Sequence, residues 1–98
     1  MMKMKKYIML TNLTDAGRTT VKNHPERIDQ VNKAVESWGA EILCQYALFG
    51  PYDFVTILEA DDDKTMLKIA MELGARGTMK TMTLPAISIE ELIESTSE

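Results

Sequence analysis

Apolar residues along the chain follow two spacings. In four short segments they cluster with β-favouring side chains, and between these segments they recur every third or fourth position. The clustered segments are residues 6–13 (KYIMLTNL), 40–49 (AEILCQYALF), 52–59 (YDFVTILE) and 78–86 (TMKTMTLPA). Length and composition make each a strand. Pro85 places the end of the fourth at a sheet edge or exit. Helical spacing appears first in Ile28, Val31, Val35 and Trp38, with Ala34 beside them. It appears again in Leu67, Ala70, Met71 and Gly74, widened by Met66, Ile69 and Leu73.

Polar punctuation sets the boundaries. Thr14 is a candidate N-cap for a short helical turn running to about Asn23. His24-Pro25 interrupts that turn, and the main helix starts afresh at Pro25, a residue suited to a first helical position. Gly39 closes it with a left-handed cap. Gly50-Pro51 joins the second and third strands in a hairpin. Asp61-Asp62-Asp63 opens the next helix, where carboxylates meet free N–H groups and the positive end of the helix dipole. Gly74 and Gly77 end it. Ser88 followed by Glu91 is a capping box for a short C-terminal helix whose stripe is Ile89, Leu92 and Ile93.

The order is therefore βαββαβ with one extra helix. This is the ferredoxin-like α+β arrangement, a four-stranded antiparallel sheet with two long helices on one face. Strand residues alternate sides, yet both sets are largely apolar. Tyr7, Met9 and Leu13 oppose Ile8 and Leu10 in the first strand, and Phe54 and Leu58 oppose Val55 and Ile57 in the third. A sheet with one wet face should instead alternate apolar and polar. The uncovered face predicts a second copy packed on it, a homodimer or higher oligomer.

Composition narrows the class. The 98 residues suffice for one domain, with a core over about 5–87 and a C-terminal helix over about 88–95. One cysteine, Cys44, rules out an internal disulfide and suits a reducing cytoplasmic setting. A net charge of −4 without a basic cluster argues against nucleic acid as a partner. The longest apolar runs are too short for a membrane span.

Against this background the residues Gly50-Pro51-Tyr52-Asp53-Phe54-Val55 resemble the Gly-x-Tyr-Asp signature of the GYD domain family. Flanking segments agree: Leu10-Thr11-Asn12-Leu13-Thr14-Asp15-Ala16-Gly17, Trp38-Gly39-Ala40, Leu58-Glu59-Ala60-Asp61-Asp62, Thr81-Met82-Thr83-Leu84-Pro85-Ala86 and Ile89-Glu90-Glu91. The resemblance implies a dimeric α/β-barrel and no particular reaction. The second half is also similar to the ligand-binding domain of Lrp/AsnC-type regulators, which implies a small-molecule effector at an interface between subunits.

Candidate chemistry is sparse. Tyr52 and Asp53 read either as hairpin-turn residues or as the edge of a pocket. A polar set on apolar strands comprises Asn12, Gln45, Tyr46, Thr56, Thr81 and Thr83. These either pair among themselves or line a wet cavity between sheet and helices. Asn12, Tyr46, Tyr52, Asp53 and Thr81 are the candidate ligand-binding residues. Met9, Met66, Met71, Met79 and Met82 suit either core packing or an adaptable pocket. His24 has no co-ligands at metal spacing, and the aspartate run is explained by capping, so no metal or other cofactor is expected. The leading expectation is a non-catalytic homo-oligomeric module that binds a small molecule at the sheet–helix cleft or at the subunit interface. The rival is a cofactor-independent oxygenase- or isomerase-like enzyme using Asp53 or Tyr46, and a third reading uses the C-terminal helix as a protein dock.

Overall fold

The computed structural model describes residues 4–96. It has eight elements: β1 (Lys5–Leu13), α1 (Asp15–Asn23), α2 (Arg27–Ser37), β2 (Ala40–Ala47), β3 (Phe54–Ala60), α3 (Asp63–Ala75), β4 (Met79–Ala86) and α4 (Ile89–Thr96). The strands form one sheet in the order β2-β3-β1-β4, with every neighbouring pair antiparallel. This is the ferredoxin-like α+β arrangement expected from the sequence.

Local chemistry fixes the helix ends. Thr14 caps α1, its Oγ1 accepting from the Gly17 N–H at 3.2 Å. Asp62 caps α3 by accepting from the Thr65 N–H at 2.9 Å. Ser88 accepts from the Glu91 N–H at 3.0 Å to start α4. Before Pro25 the chain forms a nine-residue helix, more than the single turn expected. At Gly17, α1 docks tightly on the α3–β4 connection. A Cβ there would lie 2.0 Å from the Thr78 carbonyl oxygen, so only glycine allows the approach. The Thr14 N–H donates to that same oxygen at 3.0 Å.

The core lies between sheet and helices. Tyr7 and Met9 of β1, Leu58 and Ala60 of β3, Val35 of α2, and Met66, Ile69 and Leu73 of α3 are buried together. Each large side chain here contributes about 1.5–3 kcal/mol by leaving water. The inward face of α3 differs from the stripe its spacing suggested. Met66, Ile69 and Leu73 point inward, while Leu67 and Met71 are 65% and 69% exposed. The helix is apolar around most of its circumference, so spacing alone does not choose the buried side.

Strand β2 also departs from simple alternation. Ile42 pairs with Leu58, but the next pair is Cys44 with Ile57, a bulge that leaves Leu43 without a partner in the register. One extra residue exchanges the two faces for the rest of a strand. Gln45 and Ala47 therefore share the helix side with Ile42, while Cys44 and Tyr46 turn to the opposite face.

That opposite face carries no helix. Register places Ile8 and Leu10, Cys44 and Tyr46, Val55 and Ile57, and Met82 and Leu84 on it. Tyr46, Met82 and Leu84 are all exposed. Helix α4 buries none of its residues and exposes Ile89, Leu92 and Ile93.

Candidate functional site

A cavity of about 550 Å³ opens between the α1–α2 pair and the sheet, with the end of α3 at its side. This lies within the usual size range of small-molecule pockets. Its walls are apolar: Val31 and Val35 of α2, Ile42 of β2, Phe54 of β3, Leu73 of α3 and Met79 of β4 all contribute.

The polar part is a hydrogen-bonded chain running from helix to sheet. Asn32 Nδ2 donates to Gln45 Oε1 at 2.8 Å, and Gln45 Nε2 donates to Thr56 Oγ1 at 2.9 Å. Thr56 is buried, as is Thr11, which also lines the cavity. The bulge at Leu43 brings Gln45 to this side; without it Gln45 would face away from α2. Each member of the chain satisfies another, which stabilises three polar groups against the cost of desolvation.

Charge enters only as arginine. Among the described residues lining the cavity, Arg27 and Arg76 are the charged ones, and no carboxylate, histidine, lysine, tyrosine or cysteine is present. The Arg76 guanidinium lies 5.2 Å from the centroid of the Trp38 ring, a cation–π contact that restrains it. Arg27 Nη1 donates to Gln30 Oε1 at 3.1 Å.

The residues singled out by sequence fall in different places. Gln45 and Thr56 line the cavity. Thr81 pairs with Thr11 and so shares the helix side of the sheet, outside the cavity lining. Thr83 also faces the helices, and its Oγ1 is buried without a hydrogen-bond partner. Asn12 pairs with Lys80 and Tyr46 with Val55, both on the uncovered face. The Tyr52 hydroxyl reaches the Met82 sulfur at 3.9 Å, a weak contact on that same face.

Asp53 serves the architecture. Its Oδ2 accepts from the Leu13 N–H at 2.8 Å and lies 3.7 Å from Arg18 Nη2. Its own N–H donates to the Thr11 carbonyl at 2.8 Å, and its carbonyl accepts from the Leu48 N–H at 2.8 Å. Asp53 thus ties the β2–β3 connection to the end of β1 and the start of α1. His24 pairs with Glu26 at 3.3 Å. No cluster of three or more His, Cys, Asp or Glu suited to a metal occurs among the described residues.

Asn32, Arg27 and Arg76 carry no mark in the sequence. Asn32 and Arg27 occupy the polar face of α2 and Arg76 the C-cap of α3, places where such residues ordinarily meet solvent. Only the pairing of Asn32 with Gln45, which depends on the bulge, turns a surface position into a cavity position.

Known proteins share this fold and much of this sequence. The crystal structure of MtbAldR superposes with a TM-score of 0.66 at 17% identity, over 87% of this chain and 54% of that one. The crystal structure of TTHA0845 from Thermus thermophilus gives a TM-score of 0.55 at 20% identity, over 87% and 95%. At these identities the likeness concerns the fold. A nearer relative, the glutamine synthetase and cystathionine beta-lyase binding protein of Thermus thermophilus, is 45% identical over 91 residues, 92% of this chain and 96% of its own length. The GYD domain model matches residues 7–95, and the chain belongs to the GYD domain family.

Proposed function

We propose that this chain is a non-catalytic binding module that works as a homodimer and holds a small molecule in the cleft between α2 and the sheet. The observation that supports the cleft is its construction: apolar walls around a hydrogen-bonded Asn32–Gln45–Thr56 chain. Such a pocket can orient a ligand by a few polar contacts while burying its apolar body. Catalysis would need an acid–base group beside the ligand. Asp53 and Tyr46, the groups best suited by type, lie outside the cleft, and Asp53 already accepts a backbone hydrogen bond. Asn12, Tyr46 and Tyr52 belong in this reading to the face between subunits rather than to the ligand.

The test is a fragment screen read by two-dimensional NMR on isotopically labelled protein. Fragments should shift the signals of Val31, Gln45 and Thr56, and Gln45→Leu should abolish those shifts. A screen in which no fragment moves those signals sinks the cleft reading.

A second reading rests on the 45% identical relative, whose name describes binding to two enzymes. In that reading this chain docks on a metabolic enzyme through α4. The exposed stripe Ile89, Leu92 and Ile93 is the apolar face such docking requires.

A further inference from the structure

We infer that the cleft is selective for small organic acids, with the anionic head at Arg27 and Arg76 and an apolar body against Val31, Val35 and Phe54. This rests on the cleft reading above and names the ligand class.

The chain is acidic overall, at −4, so an arbitrary sample of its surface would contain more carboxylates than cations. The described residues lining the cleft have the reverse balance, two arginines and no carboxylate. A guanidinium stays charged at any physiological pH and presents paired N–H donors that match a carboxylate. Trp38 stacks against the Arg76 guanidinium, and Gln30 accepts a hydrogen bond from Arg27, both at exposed positions from which the guanidinium can turn to a ligand. The same lining would repel nothing neutral, but a neutral ligand such as an amide would accept only a single-charge hydrogen bond from a guanidinium and would form no ion pair. A cationic ligand would meet two like charges and no counter-charge. The predominantly apolar wall, in turn, disfavours a small and fully hydrated anion, which has no body to bury.

The experiment compares matched pairs, 4-methylpentanoate with 4-methylpentanamide and 3-phenylpropanoate with 3-phenylpropanamide, titrated into the labelled full chain. The acids should shift the Val31, Gln45 and Thr56 signals with dissociation constants about tenfold lower than the amides. The double variant R27Q/R76Q should bind acid and amide alike. Both arginines are exposed, and its melting temperature checks that the fold is intact. Amides that bind the wild type as tightly as the acids overturn the anionic class and leave the cleft reading standing. If neither pair moves the cleft signals while other fragments do, the organic-acid class alone falls. If no fragment of any class does, both readings fall.

Discussion

Tyr7 shows how one side chain couples a strand to a helix start. It is 3% exposed on β1, and its hydroxyl donates to Asp63 Oδ1 at 2.5 Å in the first turn of α3. Lys5 Nζ lies 3.8 Å from the other oxygen of the same carboxylate. Burial, with the hydrogen bond and negative charge of Asp63 adding to it, pushes the phenol from 10.0 up to about 12. The folded chain therefore holds this proton more tightly than the unfolded chain. The contribution to stability is complete below pH 10 and is lost as the pH rises toward 12. Urea midpoints measured at about pH 8 and about pH 11 should fall for the wild type and fall less for Tyr7→Phe, which has no proton to lose. Equal losses in the two proteins would assign the alkaline sensitivity to other groups. Asp62 behaves in the opposite sense. The Thr65 N–H and hydroxyl favour its charged form and lower its pKa. Its share of stability is present above the ordinary carboxylate range and fades as the pH falls.

Among the elements, those set by neighbours in sequence were legible and those set by distant pairing were not. The caps at Thr14, Asp62 and Ser88 follow from residues three positions apart, and each forms its expected bond. The bulge in β2 depends on how β2 meets β3, so no reading of residues 40–47 alone places Gln45 on the helix side. The cleft inherits that limit. Gln45 and Thr56 stood out as polar residues on apolar strands, whereas Asn32, Arg27 and Arg76 look like ordinary helix-surface residues until the fold brings them to one opening. Helix α4 is the reverse case, an amphipathic element plain in the sequence whose apolar side stays exposed. If that side docks on an enzyme, removing residues 88–98 should abolish co-purification with glutamine synthetase or cystathionine beta-lyase from the same organism. Ile89→Lys should weaken it, with the melting temperature of the domain little changed. Capture that survives the truncation would place the contact elsewhere, and purified enzymes that the intact chain never retains would exclude the docking reading.

The whole molecule is a slab. Its Cα atoms extend 52 × 30 × 19 Å, the shortest dimension accommodating one sheet and one helix layer. Its radius of gyration, 14.7 Å, exceeds the about 13 Å of a compact domain of 100 residues. The face without helices carries Ile8, Leu10, Val55 and Ile57 on the two central strands. An isolated monomer rarely exposes more than about 300–600 Å² of contiguous apolar surface. Covering even about 600 Å² stabilises by on the order of 15 kcal/mol before the cost of association is subtracted. A second copy related by a two-fold axis offers the same face, and that self-complementary contact closes on itself without leaving the face free for further copies. Light scattering on the eluted protein should therefore give twice the chain mass of 11.0 kDa. Ile57→Lys should return it to the monomer, because a two-fold contact would bury the new charge twice without a partner. Ile57 points away from the core, so the variant should keep its far-UV circular dichroism. A wild-type chain that runs at the monomer mass at micromolar concentration would overturn the dimer.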